Sequence, residues 1–308
     1  MNSLLLPAAV VVVVLLPMLL LLVAVLTWKA LNRRRKRRSP LTSELLRPPA
    51  YGLTERIEEL RWDLGSLLFA IGFLPLMLLA IYLLQETLGK PPGWTTTLVI
   101  YGATLLLTLG YCIVRGIRLA QQITAYRDGR DGEWATAQLL EPVIAGGGRV
   151  LHDIQAPGFN IDHVVIAPGG VFAIETKHRL KPTTGRALDN ARVSFDGKAL
   201  HFPDWTDTKT AEQAAAQARW LSERLTKSTG ITVKARPVIA LPGWYVAVTS
   251  PSEVWTMNPK NSGFMLKPGR DRAPLDKADI QRIAFQVEQL CRLPGPDGNA
   301  DAKGPAKR

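Results

Sequence analysis

Two hydrophobic regimes divide this chain. As far as Val114 the apolar residues come in long runs, Leu4–Leu26, Leu64–Leu84 and Thr95–Val114, each about the 20 residues that a helix needs to cross hydrocarbon. Three membrane spans are predicted. Their Pro7, Pro17, Gly72, Pro75, Gly102 and Gly110 are tolerable there because neighbouring groups can satisfy the freed backbone. Beyond Arg115 the pattern becomes short and periodic. Strands are predicted over Arg149–Ile154, Asn160–Ala167, Val171–Lys177 and Val233–Leu241, with shorter candidates at Val254–Met257 and Gly263–Leu266. Helices are predicted over Thr208–Thr226, where Ala215, Ala218, Leu221 and Leu225 recur at helical spacing, and over Leu275–Leu290, opened by Pro274. The predicted fold is α/β, a mixed sheet flanked by helices and preceded by a three-helix transmembrane region.

The expected organisation is a first transmembrane helix in 1–27, a basic linker over 28–63, further spans at 64–84 and 95–114, a domain over 125–292 and a disordered tail at 293–308. Leu4–Leu26 lacks a basic leader and a clear small-x-small cleavage site, which favours an anchor over a signal peptide. Lys29 and Arg33–Arg38 follow it at once, and such a block is held on the cytoplasmic side. The N-terminus would then lie outside, Gln85–Trp94 would form a short outer loop, and everything from Arg115 would be cytoplasmic at the inner membrane. Arg115 and Arg118 flank the third span in the same sense, and Trp28, Tyr82, Trp94 and Tyr111 fall near span ends. The spans carry no ionisable residue between their ends, which argues against a transporter.

Charge changes the picture less than its size suggests. The net charge is +12, but seven positive residues sit in Lys29–Arg38, where contact with anionic lipid is the better reading than a nucleic-acid patch. Two cysteines, Cys112 and Cys291, make no disulfide framework, and the four histidines form no ligand pattern. His163 would face away from Asp162 into the core. Gly146-Gly-Gly148 lacks the lysine of a phosphate-binding loop.

The chemistry concentrates in one hairpin. Pro168-Gly169-Gly170 is a turn signal between Asn160–Ala167 and Val171–Lys177. A turn of that length sets Asp162 opposite Glu175, with Lys177 two residues further along the same face. Val171 and Ala173 share that face, so the charges end an apolar row instead of lying on a solvated one. Like charges directly opposite on a sheet are destabilising unless compensated, and two carboxylates suit Mg²⁺ or Mn²⁺ better than Zn²⁺. Lys177 could orient a water or offset charge developing on a phosphate.

Asp131-Gly-Glu133, Asn160-Ile-Asp-His163, Gly170-Val-Phe-Ala-Ile-Glu-Thr-Lys177 and Gln213 together resemble the nuclease-related domain family, NERD, a branch of the PD-(D/E)XK nuclease superfamily, over roughly residues 130–250. The resemblance implies a PD-(D/E)XK-like sheet in which Asp162 and Glu175 are metal ligands and Lys177 is the catalytic lysine. It further implies that Glu133 is the acidic residue of the first core helix and that Gln213 stands near the site. Gln217, one helical turn away on the same face, competes for that last role. His178–Gly185, directly after Lys177, is longer and more basic than the short turn the resemblance implies.

The expectation is a membrane-anchored nuclease hydrolysing phosphodiester bonds with Mg²⁺ or Mn²⁺, on nucleic acid with DNA favoured over RNA. The alternative is a catalytically idle, membrane-anchored module that binds nucleic acid or protein.

Overall fold

The computed structural model describes residues 20, 23–31, 45–89, 93–183, 189–269 and 274–293. Most of the run Leu4–Leu26, the block Arg33–Arg38 and the tail after Leu293 lie outside these residues. The described chain divides into two units, one within Met1–Thr42 and Glu58–Thr124, the other within Ser43–Ile57 and Ala125–Arg308.

In the first unit the two described apolar runs lie inside longer helices, Tyr51–Thr87 and Trp94–Leu139. Two helices among the described residues are long and apolar enough to cross a membrane. They pair antiparallel, since Tyr101 Oη donates to Gln85 Oε1 at 3.2 Å and Gly116 lies against Leu67 and Leu64. Leu68, Phe69, Leu79, Leu98, Leu106 and Leu107 are exposed on them.

The second unit is built on a five-stranded mixed sheet. Its strands are β1 (Arg149–Ala156), β2 (Phe159–Ala167), β3 (Gly170–Thr176), β7 (Ala235–Ala240) and β9 (Trp255–Met257), in that spatial order. β1, β2 and β3 run antiparallel as two hairpins, while β3, β7 and β9 are parallel. The β2–β3 turn takes only Pro168 and Gly169, because Ala167 pairs with Gly170. Gly170 has φ 128, a region closed to residues with a Cβ.

Both faces of this sheet are covered, so β3 is apolar from Val171 to Ile174 instead of alternating with polar residues. Val171 and Ala173 join Val164 and Ile166 under the helices Thr210–Thr229 and Lys277–Glu288, whereas Phe172 and Ile174 pack with Leu140, Val143 and Met265 on the other side. The α/β class and the main strands follow the hydrophobic pattern, with one correction. Gly263–Leu266 is not a strand but the end of a 3₁₀ helix, Pro259–Leu266. Asn258 starts that helix by accepting from Lys260 N at 3.1 Å, and Pro259 occupies its first turn, where a missing N–H costs nothing.

A second sheet of short strands, β4 (Arg192–Phe195), β5 (Leu200–His201), β6 (Thr206–Asp207) and β8 (Tyr245–Val248), was not evident in the sequence pattern. Val193, Phe195, Leu200 and Trp244 close a third apolar cluster with Ala211, Ala214, Ile239 and Leu241.

Part of the stretch expected to be linker is held against the second unit. Leu46 bridges to Arg292, Arg47 N donates to Cys291 O at 2.7 Å, and Leu293 N donates to Leu45 O at 2.7 Å. Arg47 also donates from Nη1 to Asp153 at 2.9 Å. Asp153 is buried, accepts from Asn160 Nδ2 at 2.9 Å and adopts φ 49, a conformation in which Asp is favoured over most residues. Asp153→Ala removes both acceptors and strands the guanidinium. It is expected to cost about 3 kcal/mol, read as a lower midpoint of thermal unfolding, and a loss under about 1 kcal/mol would show that backbone pairing alone holds residues 45–47.

Candidate active site

The catalytic candidates meet where the β2–β3 ladder ends. The last pair with reciprocal register is His163 with Ile174, and one step further sets Asp162 opposite Glu175. There the strands exchange a side-chain bond: Thr176 N donates to Asp162 Oδ2 at 2.8 Å. On the other edge Lys177 N donates to Ala240 O at 2.9 Å, so β7 fixes the lysine's backbone. Asp162 and Glu175 are 4 % and 3 % exposed, which makes their charges expensive unless satisfied.

Glu175 continues the row Val171, Ala173 toward the helix Thr210–Thr229, and two residues of that helix meet it. Gln213 Nε2 donates to Glu175 Oε1 at 2.8 Å and Gln217 Nε2 donates to Oε2 at 2.6 Å. Lys177 Nζ donates to Oε1 at 2.8 Å and lies 3.5 Å from Gln213 Oε1. Both glutamines that competed for one role therefore reach the same carboxylate, one turn apart. Gln217 is fully enclosed and also donates to Asn160 O at 3.1 Å.

Burial works against the Lys177 ammonium, but Glu175 outweighs it through charge and hydrogen bonding, with Asp162 and Asp207 adding to the effect. Its pKa lies above the ordinary 10.5. Asp207 was not singled out in the sequence. It accepts from Lys209 N at 2.9 Å and Thr210 N at 3.0 Å, and Thr210 Oγ1 donates to it at 2.7 Å, which caps the helix carrying the glutamines. Burial raises the Asp207 carboxyl, and the bonds from Thr210 and Lys209 overcome that and hold it below its usual range. An Asp three residues before a helix-opening Thr is the signal that would have found it.

Glu133 is buried on the helix Trp94–Leu139, beside Gly132. A Cβ on Gly132 would overlap the Cβ of His178, so the helix approaches the residue after Lys177 as closely as glycine permits. His163 faces away from the acidic pair, as expected, and its Nδ1 lies 2.8 Å from His152 Nδ1. Burial holds both rings neutral: His152 titrates near 4 and His163 lies well below its ordinary value. They form a core pair.

Among the described residues no group of three or more His, Cys, Asp and Glu is arranged to hold a metal ion. The donor chemistry nevertheless fits a hard divalent cation. Mg²⁺ is commonly held by one or two carboxylates, with water and substrate phosphate completing its shell. Gln217 Oε1 is a further buried oxygen with no hydrogen-bond partner.

An acidic pair at a strand end, a lysine beside it and two glutamines from the covering helix thus meet at one place. Residues 128–242 match the family model described as nuclease-related domain, NERD. No curated protein and no solved structure matches the chain. The matched segment contains Glu133, Asp162, Glu175, Lys177, Gln213 and Gln217.

Gly132→Ala is expected to destabilise the domain by about 2 kcal/mol through overpacking against His178. Gly129→Ala, whose Cβ meets only the Leu53 Cδ1 methyl at 3.3 Å, is expected to be neutral or stabilising. Equal thermal midpoints for the two variants would remove the close-approach argument.

Proposed function

We propose that the chain is a membrane-anchored nuclease that hydrolyses phosphodiester bonds of nucleic acid, DNA in preference to RNA, at the cytoplasmic face. The observation that carries this reading is the buried Glu175 carboxylate shared by Lys177, Gln213 and Gln217, with Asp162 across the strand, inside a nuclease-related domain. In this reading Asp162 and Glu175 hold Mg²⁺ or Mn²⁺. When bound, such an ion would supply Lewis-acid stabilisation and lower the pKa of a water.

The chain's own residues do the rest. Lys177, protonated at neutral pH, places a positive charge where a phosphate would develop negative charge. Gln213 and Gln217 fix the Glu175 carboxylate, and Thr176 N fixes Asp162. Glu133, on the turn against His178, would add a further negative charge to the acidic shell. The two apolar helices support the membrane part, since their apolar side chains are exposed and not packed into a core. With 1–27 as a third span, the N-terminus would lie outside, and Arg33–Arg38 would meet anionic lipid.

One observation favours a second reading, an idle anchored module that binds nucleic acid or protein: both Glu175 oxygens are already engaged within the protein.

The test is cleavage of single- and double-stranded DNA and RNA by the full chain in detergent, with Mg²⁺, Mn²⁺ or chelator, beside Lys177→Ala. The expected outcome is metal-dependent cleavage that falls about 10²–10³-fold in the variant. Because its pKa is raised, Lys177 keeps its charge below 10.5 and loses it only as pH climbs through the higher folded value. The alkaline loss of activity due to this residue should therefore lie above pH 10.5. Absence of cleavage by a folded protein under all conditions would favour the idle module.

A further inference from the structure

Outside the acidic centre lies a cavity of about 1000 Å³ whose lining, apart from Lys181 and Arg192, comes entirely from residues 243–264. It therefore lies almost wholly beyond the segment that the family model covers. Three cations line it, Lys181, Arg192 and Lys260, and no carboxylate does among the described residues. Aromatic rings form its walls. Tyr245 is 68 % exposed, and among the described residues no aromatic ring or cation stacks on it. Trp255 is held in place, with the Arg236 guanidinium 3.9 Å from its centroid and the Phe264 ring 5.2 Å away.

The cavity is tied to the acidic centre through the segment that leaves β3. Trp244 Nε1 donates to Arg179 O at 3.3 Å, and Lys181 Nζ lies 5.6 Å from the Trp244 centroid. Lys181 is four positions after Lys177, so their Cα atoms lie within about 14 Å. Residues 178–181 thus lead from Lys177 to the aromatic cavity.

We propose that this cavity binds single-stranded nucleic acid, taking an unpaired base against Tyr245 and the neighbouring phosphates against Lys181, Arg192 and Lys260. The inference rests on the nuclease reading of the adjacent site and names its substrate class. A base within a duplex has both faces covered by its neighbours and offers only an edge. An open aromatic ring in a cavity that cations also line instead rewards a splayed strand. A lining without carboxylates matches a polyanion, and its apolar walls match a base better than a purely charged ligand.

Fluorescence anisotropy of a labelled oligo(dT) strand and of the oligo(dA)·oligo(dT) duplex, with the full chain in detergent and chelator, tests this. Chelator separates binding from cleavage, so a nuclease that fails to cleave does not erase the result. The expected results are tighter binding of the single strand, a loss of about tenfold in Tyr245→Ala and retention in Tyr245→Phe. Lys260→Ala should lower the salt slope of single-strand binding by roughly 0.7. Equal affinity for strand and duplex, unchanged binding in Tyr245→Ala, or displacement by poly-L-glutamate as effective as by unlabelled oligo(dT) would each overturn the proposal. Thermal midpoints matching the unsubstituted protein exclude misfolding of the exposed-site variants.

Discussion

The arrangement of the acidic centre depends on one buried charge. Glu175 stands at the end of an apolar row, where an unpaired carboxylate would cost several kcal/mol. It is stable there only because three donors from two elements converge on it: Lys177 from the end of its own strand, and Gln213 and Gln217 from the helix above. That need couples the helix to the sheet in a defined register. If the helix rotated, Glu175 would lose two of its partners at once. The cap supplied by Asp207 then becomes part of the same system, because it fixes where the helix begins and so which turn faces the carboxylate.

The β2–β3 turn sets the other half. A two-residue turn fixes the parity of every pair behind it, so Asp162 comes opposite Glu175 and His163 falls on the reverse face beside His152. One additional residue in the turn would turn one strand over relative to the other. Either Asp162 or Glu175, but not both, would then face the apolar layer of Leu140, Val143 and Met265. Gly170, at a φ that only glycine accepts readily, and Pro168 before it secure the short turn.

How legible these features were in the sequence follows from the range over which their causes act. Strand parity, the Gln213–Gln217 spacing and the apolar row ending in charge are local patterns, and they led to the contacts that the structure shows. Lys177 was read as a strand residue and lies one position past the strand, still bonded to Ala240. The second sheet was illegible because its strands are two to four residues long, too short for periodicity to register. Gly263–Leu266 misled because four residues, including Phe, Met and Leu, satisfy a strand template, while the deciding signals, Asn258 and Pro259, lie upstream. The approach of Gly132 to His178 and the anchoring of Arg47 on Asp153 join residues 46 and 106 positions apart, and no local pattern encodes them.

The protonation state of Lys177 also constrains what the centre can do. Burial alone would favour the neutral amine, a competent base, but Glu175 at 2.8 Å and the further charges of Asp162 and Asp207 reverse that balance. A lysine that holds its proton at neutral pH cannot take one from an attacking water. In the proposed hydrolysis its contribution would be electrostatic, and removal of the water's proton would fall to an acceptor such as a carboxylate or an oxygen of the phosphate itself. A neighbouring charge fixed before substrate arrives needs little reorganisation during reaction, which is where preorganised electrostatics contribute most. The glutamines serve the same end by holding Glu175 in place, so that the ion pair keeps its geometry when a polyanion enters.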